Sequence, residues 1–345
     1  MRSVMVNNRN SSFELLRIIC IFEILLMHAI DGFLNLLGGI DLHIITILQV
    51  IFNASSSCLM IISGYFGIKF SVKKIINIEF VFLFWNMISL IQNYIDGRAL
   101  GRQELMSTFL PVLSNRSWFI TGYVYILILS PFINEYLERI DKKRMQQLLG
   151  LGLLLFSIFP SLFYFEITGT NGKGIIHLLL MYLVGRYIKL YGDVQRKKIG
   201  NYIVYLIAII VVAGILNVIA EMINMRFWFS RDCSIFIIIV ACLLVIIFSF
   251  FNFKSKIIDF FASNIISVII GERIVSGWIE KIYLYLLPDG GQLEWYILVL
   301  TRVLAVFLLC VLIEKVRYLL FNGIEDKIIK YIKQIADKQG SSNEC

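Results

Sequence analysis

The feature that most constrains this chain is a nearly continuous series of apolar segments between Phe13 and Leu320, separated only by short polar stretches. A helix needs about 20 mostly apolar residues to cross the hydrocarbon core of a bilayer. Segments of this kind are predicted at 13–30, 44–67, 75–95, 118–133, 147–165, 175–190, 202–220, 233–251, 259–287 and 295–320. The sequence therefore predicts an all-α polytopic membrane protein with about ten transmembrane helices.

Composition excludes the main alternatives to a membrane fold. Hydrophobic residues make up 59% of the 345 residues, charged residues 16%, and there are only four prolines. These values argue against a soluble enzyme and against a disordered chain. Five of the six cysteines lie inside apolar segments and none forms a Cys-x-x-Cys pair, so neither a disulfide scaffold nor a zinc site is expected.

The distribution of basic residues predicts the orientation in the membrane. Of the 32 Lys and Arg residues, 21 lie before the first segment, in the even-numbered loops with Lys189 counted at the edge of one of them, or after Leu312, and six lie in the odd-numbered loops. By the positive-inside rule both termini face the cytoplasm. The net charge of +8 then reflects loops that face anionic lipid rather than a nucleic-acid partner.

The apolar series favours a single membrane domain at residues 1–322, followed by a cytoplasmic C-terminal tail at 323–345. The ninth segment is unusually long and has a polar centre that includes Ser276 and Gly277. We therefore expect a broken or strongly tilted helix there.

Arg17 and His28 are the first ionisable pair of interest, because charged groups within spans are costly and need a reason to be there. They are eleven residues apart, which places them within about 20° on one helix face and roughly 16 Å apart along the axis. One hypothesis is a functional face with a guanidinium near the cytoplasmic end and an imidazole near the outer leaflet. The alternative is a snorkelling arginine and a hydrogen-bonded histidine at a helix end.

The expected depth of His28 in the membrane matches that of two residues distant in the sequence. If Phe13 and Asp259 mark inner helix ends, His28 lies about 22 Å up and Glu272 about 20 Å up, and Arg302 lies near the same level. A carboxylate orients and charges an imidazole for general-base catalysis, and an arginine stabilises an oxyanion or binds a sugar hydroxyl. The alternative is a structural ion pair between Glu272 and Arg273 or Arg302.

Several motifs together resemble the bacterial membrane acyltransferase 3 family, in particular members that modify extracellular polysaccharides. The resemblance covers essentially the whole chain. It rests on Ser12-Phe13-Glu14-Leu15-Leu16 before Arg17 and His28, on Ile62-Ser63-Gly64-Tyr65-Phe66, on Lys73-Lys74, on Trp118-Phe119-Ile120-Thr121-Gly122-Tyr123 and on Ser130-Pro131-Phe132-Ile133-Asn134.

This resemblance implies an O-acyltransferase of the bacterial plasma membrane. The donor would be a cytoplasmic acyl-CoA, usually acetyl-CoA, with no permanently bound cofactor and no metal, and the acceptor a hydroxyl of an extracellular or lipid-linked glycan. His28 would be the catalytic base, and Arg17 would help to bind the donor. Two positions depart from the family pattern: Gly271 replaces a second histidine before Glu272, and Asn77 replaces a third basic residue after Lys73-Lys74.

Further site residues follow from this reading. The CoA phosphates would lie near Arg17, Lys73 and Lys74, and Arg302 would contact an oxyanion or a sugar. Trp118 and Tyr123 are candidates for stacking on sugar rings. The roles of Glu23, His43 and His177 stay open.

The main alternative function is a non-catalytic transporter or flippase for a glycan or small solute, which also needs buried ionisable groups. The absence of an internal repeat and the family-like first span argue against it. A glycan polymerase is a third option, but its expected large external loop is not found: the longest loop is 96–117.

Overall fold

The computed structural model describes residues 10–31, 39–98, 101–164, 167–192, 198–285 and 292–342. These residues form helices and connecting turns, with no β-strand among them. The helices are α1 Ser11–Asp31, α2 Gly39–Phe66, α3 Val72–Ile95, α4 Arg102–Phe109, α5 Trp118–Arg139, α6 Lys142–Leu153, α7 Phe159–Phe163, α8 Ile175–Tyr191, α9 Ile199–Met222, α10 Ile235–Ser249, α11 Lys256–Ala262, α12 Ile265–Tyr285 and α13 Gln292–Ser342. A π-helical turn, Leu154–Ile158, joins α6 to α7.

Six helical stretches in the described part of the chain are long and apolar enough to cross a membrane. They are α2, α3, α5, the continuous stretch Lys142–Phe163, α9 and α13. The other four predicted segments coincide with α1, α8, α10 and the pair α11 and α12. The all-helical prediction is confirmed. A backbone in lipid must satisfy its own hydrogen bonds, which explains why long apolar segments form helices.

Helix α2 is the centre of the bundle. Its most apolar stretch is 72% buried, and it packs against α1, α8, α9 and α10. Glycines allow the closest of these contacts: a Cβ on Gly64 would run into the backbone of Tyr182, and one on Gly185 into the carbonyl of Ile61. Small residues at such contacts let two helix backbones approach each other.

The first turn of α1 is tied to the region that joins α10 and α11. The Ser11 hydroxyl donates to Oδ1 of Asp259 at 2.8 Å, and the Ser12 hydroxyl donates to the carbonyl of Phe248 at 2.8 Å. The backbone N–H of Ser11 donates to the carbonyl of Phe253 at 3.0 Å. These bonds place the start of α1 and the start of the α11–α12 segment at one level.

Of the two predicted alternatives, a broken or a strongly tilted helix, the ninth segment shows a break, but the break does not lie at the polar centre of Ser276 and Gly277. The helix is interrupted between Ala262 and Ile265, and α12 continues through Ser276 and Gly277. At the break the side chains of Ser263 and Asn264 both donate to the carbonyl of Phe260, at 2.7 and 2.6 Å. Short polar side chains that bond to nearby backbone groups compete with helix propagation.

Two further regions differ in detail from a simple reading of the sequence. The long loop 96–117 contains the short helix α4. Helix α13 runs without interruption from Gln292 to Ser342, so the predicted domain boundary after residue 322 falls inside a helix. Residues 343–345 of the predicted tail lie outside the described residues.

Candidate active site

His28, in the last turn of α1, lies beside Glu272 of α12. Nδ1 of His28 is 2.9 Å from Oε1 of Glu272, and the side chains are 29% and 6% exposed. Ser11 bonds to Asp259 near the start of both segments, 17 residues before His28 and 13 residues before Glu272, which puts the two side chains within about one helical turn of the same height. The structure thus brings together two side chains that were predicted to lie at a similar depth in the membrane.

Glu272 has a second neighbour, but it is not Arg302. Nε of Arg273 lies 3.6 Å from the same Oε1, and the Arg273 side chain is 81% exposed. Arg302 is buried and its Nη2 donates to the hydroxyl of Ser276 at 3.0 Å. Glu272 therefore bonds to His28 and contacts Arg273 at its edge, while Arg302 bonds to a different residue of α12.

A cavity of about 570 Å³ opens beside the pair, on the side of the bundle where α1 ends and α5 and α8 begin. We call this end of the bundle the His28 side. The cavity is lined by aromatic and polar side chains, including His28, Glu272, Arg273, Phe52, Asn53, Ser56, Phe82, Asn86, Asn115, Arg116, Trp118, Lys173 and Asp232. A concave site with aromatic walls and a few convergent polar groups is typical of small-molecule binding.

Two predicted aromatic residues have different positions. Trp118, the first residue of α5, lines the cavity. Tyr123, further along the same helix, is not among the residues that line the cavity. Of the two candidates for sugar stacking, the structure places only Trp118 at the cavity.

Arg17 lies toward the opposite end of α1, which we call the Arg17 side. Its Nη1 donates to Oε1 of Glu14 at 2.8 Å, and its side chain is 28% exposed. Lys73 and Lys74 occupy the first turn of α3, where the hydroxyl of Ser71 accepts a hydrogen bond from the backbone N–H of Lys74. Phe13 packs on Tyr65 and Phe66 there, with ring centroids 5.1 and 4.9 Å apart.

Two more cations lie on the Arg17 side, and sequence reasoning did not assign them a role. Nζ of Lys189 lies 4.8 Å from the centroid of the Tyr65 ring. Gly67 has φ +76°, and a Cβ there would lie 3.1 Å from Nη1 of Arg186. Both cations come from the last turns of α8, which packs on α2. The sequence could not predict that these two cations lie on the Arg17 side, because it does not show that α8 neighbours α2.

Motifs that are distant in sequence meet on the Arg17 side. The hydroxyl of Tyr182 donates to Oδ1 of Asn134 at 2.7 Å and accepts from the backbone N–H of Ile68 at 3.1 Å. Nδ2 of Asn134 donates to the carbonyl of Ile68 at 2.8 Å. Asn134 ends the Ser-Pro-Phe-Ile-Asn motif, and Ile68 follows the Ser-Gly-Tyr-Phe element. A closed hydrogen-bond network therefore connects these two motifs.

Three consecutive serines of α2 each satisfy a different buried polar group. The Ser55 hydroxyl donates to Glu23 at 2.5 Å, and the Ser56 hydroxyl donates to Asp232 at 2.6 Å. Ser57 lies 2.9 Å from Nε2 of His177, which lines a smaller cavity of about 290 Å³. Successive residues of a helix point about 100° apart, so one serine run reaches α1, the turn before α10 and α8. Three consecutive serines inside an apolar segment are the sequence feature that could have predicted these buried hydrogen bonds.

Trp85 explains why position 271, where the resemblance led us to expect a second histidine, is a glycine. A Cβ on Gly271 would lie 2.5 Å from Cε2 of Trp85, which is too close for any side chain. Trp85 is fully buried and its Nε1 donates to the hydroxyl of Ser267 at 2.8 Å. The indole ring occupies the space that a histidine would need, so Glu272 is the partner that remains for His28.

Among the described residues, no group of three or more His, Cys, Asp or Glu side chains is arranged to bind a metal ion. The polar groups that face the large cavity are instead an imidazole, carboxylates, amides, hydroxyls and three cations. Such a set is suited to proton transfer and to binding polar or charged organic ligands.

The fold and the site define a class: a multi-pass helical membrane protein with a histidine–carboxylate pair beside a polar cavity. The chain belongs to the acyltransferase 3 family, whose model, described as an acyltransferase domain, matches residues 10–315. No curated protein sequence and no solved structure matches the chain. The family resemblance of the sequence motifs is confirmed, and the protein is a membrane acyltransferase.

Proposed function

We propose that the protein is an O-acyltransferase that moves an acyl group from cytoplasmic acyl-CoA to a hydroxyl of an extracellular or lipid-linked glycan. The observation that carries the proposal is the 2.9 Å contact between His28 and Glu272 at the wall of the large cavity. The acyltransferase family of the chain supports a transferred acyl group. Acetyl is the proposed acyl group, and the bacterial plasma membrane is the proposed location.

His28 is the proposed general base. If Nδ1–H donates to Glu272, Nε2 carries the lone pair and accepts the proton of the acceptor hydroxyl. The acceptor oxygen then attacks the thioester carbonyl, the carbon–sulfur bond breaks, and the CoA thiolate leaves and takes up a proton. Glu272 stabilises the imidazolium that forms as the proton moves. Base catalysis of this kind contributes roughly 10²–10⁴-fold.

The proposed donor site lies on the Arg17 side. Arg17, Lys73 and Lys74 would bind the CoA phosphates there, and Arg186 and Lys189 add positive charge to the same side. Arg17 and His28 are roughly 16 Å apart along α1. The long pantetheine arm would span this distance and bring the thioester to His28.

The proposed topology has ten spans, with both termini in the cytoplasm. The Arg17 side then faces the cytoplasm, where acyl-CoA is available, and the His28 side faces the acceptor. The bias of Lys and Arg toward even-numbered loops supports this orientation. Residues 1–322 would form the transferase domain, and membrane lipids would surround it.

Transfer of label from radiolabelled acetyl-CoA to glycan in membrane vesicles tests the proposal. We expect His28→Ala to abolish transfer, because no other described histidine contacts Glu272. His43→Ala is the matched control, since His43 lies on α2 and is not a lining residue of the large cavity. Wild-type transfer by a well-expressed His28→Ala protein would contradict the proposed base.

A further inference from the structure

Three cations line the large cavity, and each comes from a different part of the chain. Arg116 precedes α5, Lys173 lies in the turn before α8, and Arg273 lies on α12. All three side chains are exposed. Their convergence on one cavity follows from the packing of the bundle and not from a basic stretch in the sequence.

The two acidic residues of the same lining are buried. Counted as whole residues, Glu272 is 4% exposed and Asp232 is 7% exposed. Glu272 is held by His28 at 2.9 Å, and Asp232 accepts a hydrogen bond from the Ser56 hydroxyl at 2.6 Å. The negative charge of the cavity is therefore fixed in its wall, whereas the positive charge is accessible.

The positive charges of these three side chains are only weakly balanced by carboxylates of the protein. Nη1 of Arg116 donates to the neutral hydroxyl of Ser107 at 3.1 Å. Arg273 is 3.6 Å from Glu272 but 81% exposed. Within the part of the chain that the structure describes, no carboxylate lies within ion-pair distance of Arg116 or Lys173. An exposed guanidinium without a carboxylate partner can still make charge-assisted hydrogen bonds to a ligand.

We propose that the acceptor is an acidic saccharide, whose carboxylate or phosphate binds to Arg116, Lys173 and Arg273 while its hydroxyl faces His28. This inference rests on the proposed function, because it treats the cavity as the acceptor site. The remaining lining fits a saccharide: Asn86 and Asn115 offer amides, and Trp118 offers an aromatic surface.

Binding of matched charged and neutral oligosaccharides to the purified full-length protein, without donor, tests the inference. The probes are tetragalacturonate and its methyl ester, and phosphorylated and unmodified maltotetraose. We expect the anionic form of at least one pair to bind about tenfold more tightly than its neutral match, since bonds to a charged group are roughly twice as strong as neutral ones. Comparison of the two anions identifies the preferred group. The preference is expected to shrink as salt rises from about 50 mM to about 500 mM.

The variants locate the effect. We expect Arg273→Gln to weaken anion binding about threefold to tenfold and Arg116→Gln combined with Arg273→Gln to remove the preference, with neutral binding unchanged. Arg102→Gln is the control, because Arg102 begins α4 and is exposed but does not line the cavity. Arg273 is mostly in solvent, so its loss leaves the fold intact, and the melting temperature checks this.

Equal binding of charged and neutral forms would overturn the inference, as would no measurable binding of any probe. An effect of Arg102→Gln as large as that of Arg273→Gln would also overturn it. The outcome is separable from the proposed function, because binding is measured without acyl transfer. If His28→Ala still transfers acyl groups, the proposed base is wrong even when the anion preference is found.

Discussion

Replacing Glu272 by Gln removes the negative charge next to His28 and keeps the shape of the side chain. The amide oxygen of Gln can still accept from Nδ1–H, so the tautomer and the ring orientation are retained. The change therefore isolates the interaction between the carboxylate and the imidazolium that forms during proton transfer. We expect a large loss of transfer rate with little loss of stability.

The size of the effect follows from the geometry. Two unit charges about 4 Å apart interact by roughly 4 kcal/mol at an effective dielectric constant of about 20. His28 is 29% exposed and Arg273 contacts the same oxygen at 3.6 Å, so part of this energy is screened. About 2–3 kcal/mol should remain. Since about 1.4 kcal/mol corresponds to a factor of ten, kcat should fall roughly 30- to 150-fold.

The stability effect should be small. Arg273 is 81% exposed and stays in solvent when Glu272 is neutral, and Arg302 bonds to Ser276 instead. We expect the free energy of unfolding to fall by less than about 1 kcal/mol, which is the range for exposed ion pairs. The assay is acyl transfer together with thermal unfolding in detergent for Glu272→Gln, Arg302→Met and the double variant. Glu280→Gln is the control on the exposed face of α12.

Two results would refute this reasoning. Transfer by Glu272→Gln within threefold of wild type would show that the carboxylate does not act through His28. A clear fall in melting temperature that Arg302→Met restores in the double variant would make Glu272 a structural partner of Arg302.

Three other variants have defined expectations. Arg17→Ala should raise KM for acyl-CoA at least about fivefold and leave KM for the acceptor within about twofold, because Arg17 lies on the proposed donor side; steady-state kinetics checks this. Gly185→Ala should lower stability by about 1–3 kcal/mol in thermal unfolding, because its Cβ would meet the carbonyl of Ile61. Ser57→Ala should cost about 1–2 kcal/mol by the same measurement, because it removes the hydrogen bond to buried His177.

The helical fold could be predicted because hydropathy and helix length determine which segments can cross a membrane. Depth predicted that His28 and Glu272 lie at similar heights, but it did not predict their contact, because depth does not show which helices are neighbours. A broken or strongly tilted helix was predicted for the ninth segment from its length and polar centre, but the position of the break was not predicted. Ser263 and Asn264 end α11 through bonds to Phe260, a local competition that hydropathy does not report.

Depth could not predict rotation about a helix axis. Arg302 bonds to Ser276 because of the face that α13 turns toward α12. Tyr123 is on the same helix as Trp118 but does not line the cavity, for the same kind of reason. Only packed helices reveal which side chains face each other.

Contacts made by loops also could not be predicted from the sequence. Asp232 precedes α10 and meets Ser56 of α2 across 176 residues. Arg116 and Lys173 reach the cavity from two turns that have no periodic pattern. These residues carry the polar character of the cavity, and the proposed acceptor chemistry therefore depends on the structure.

The O-acyl content of extracellular glycans is the most direct test of the central claim, that His28 is the base for acyl transfer. NMR would compare cells that carry wild-type protein, His28→Ala and His43→Ala at equal membrane abundance, together with the total amount of exported glycan. We predict that His28→Ala removes the acyl signals while the amount of glycan and the His43→Ala sample are unchanged. Unchanged acylation in His28→Ala, or a loss of exported glycan with the same acyl content per sugar, would contradict the claim.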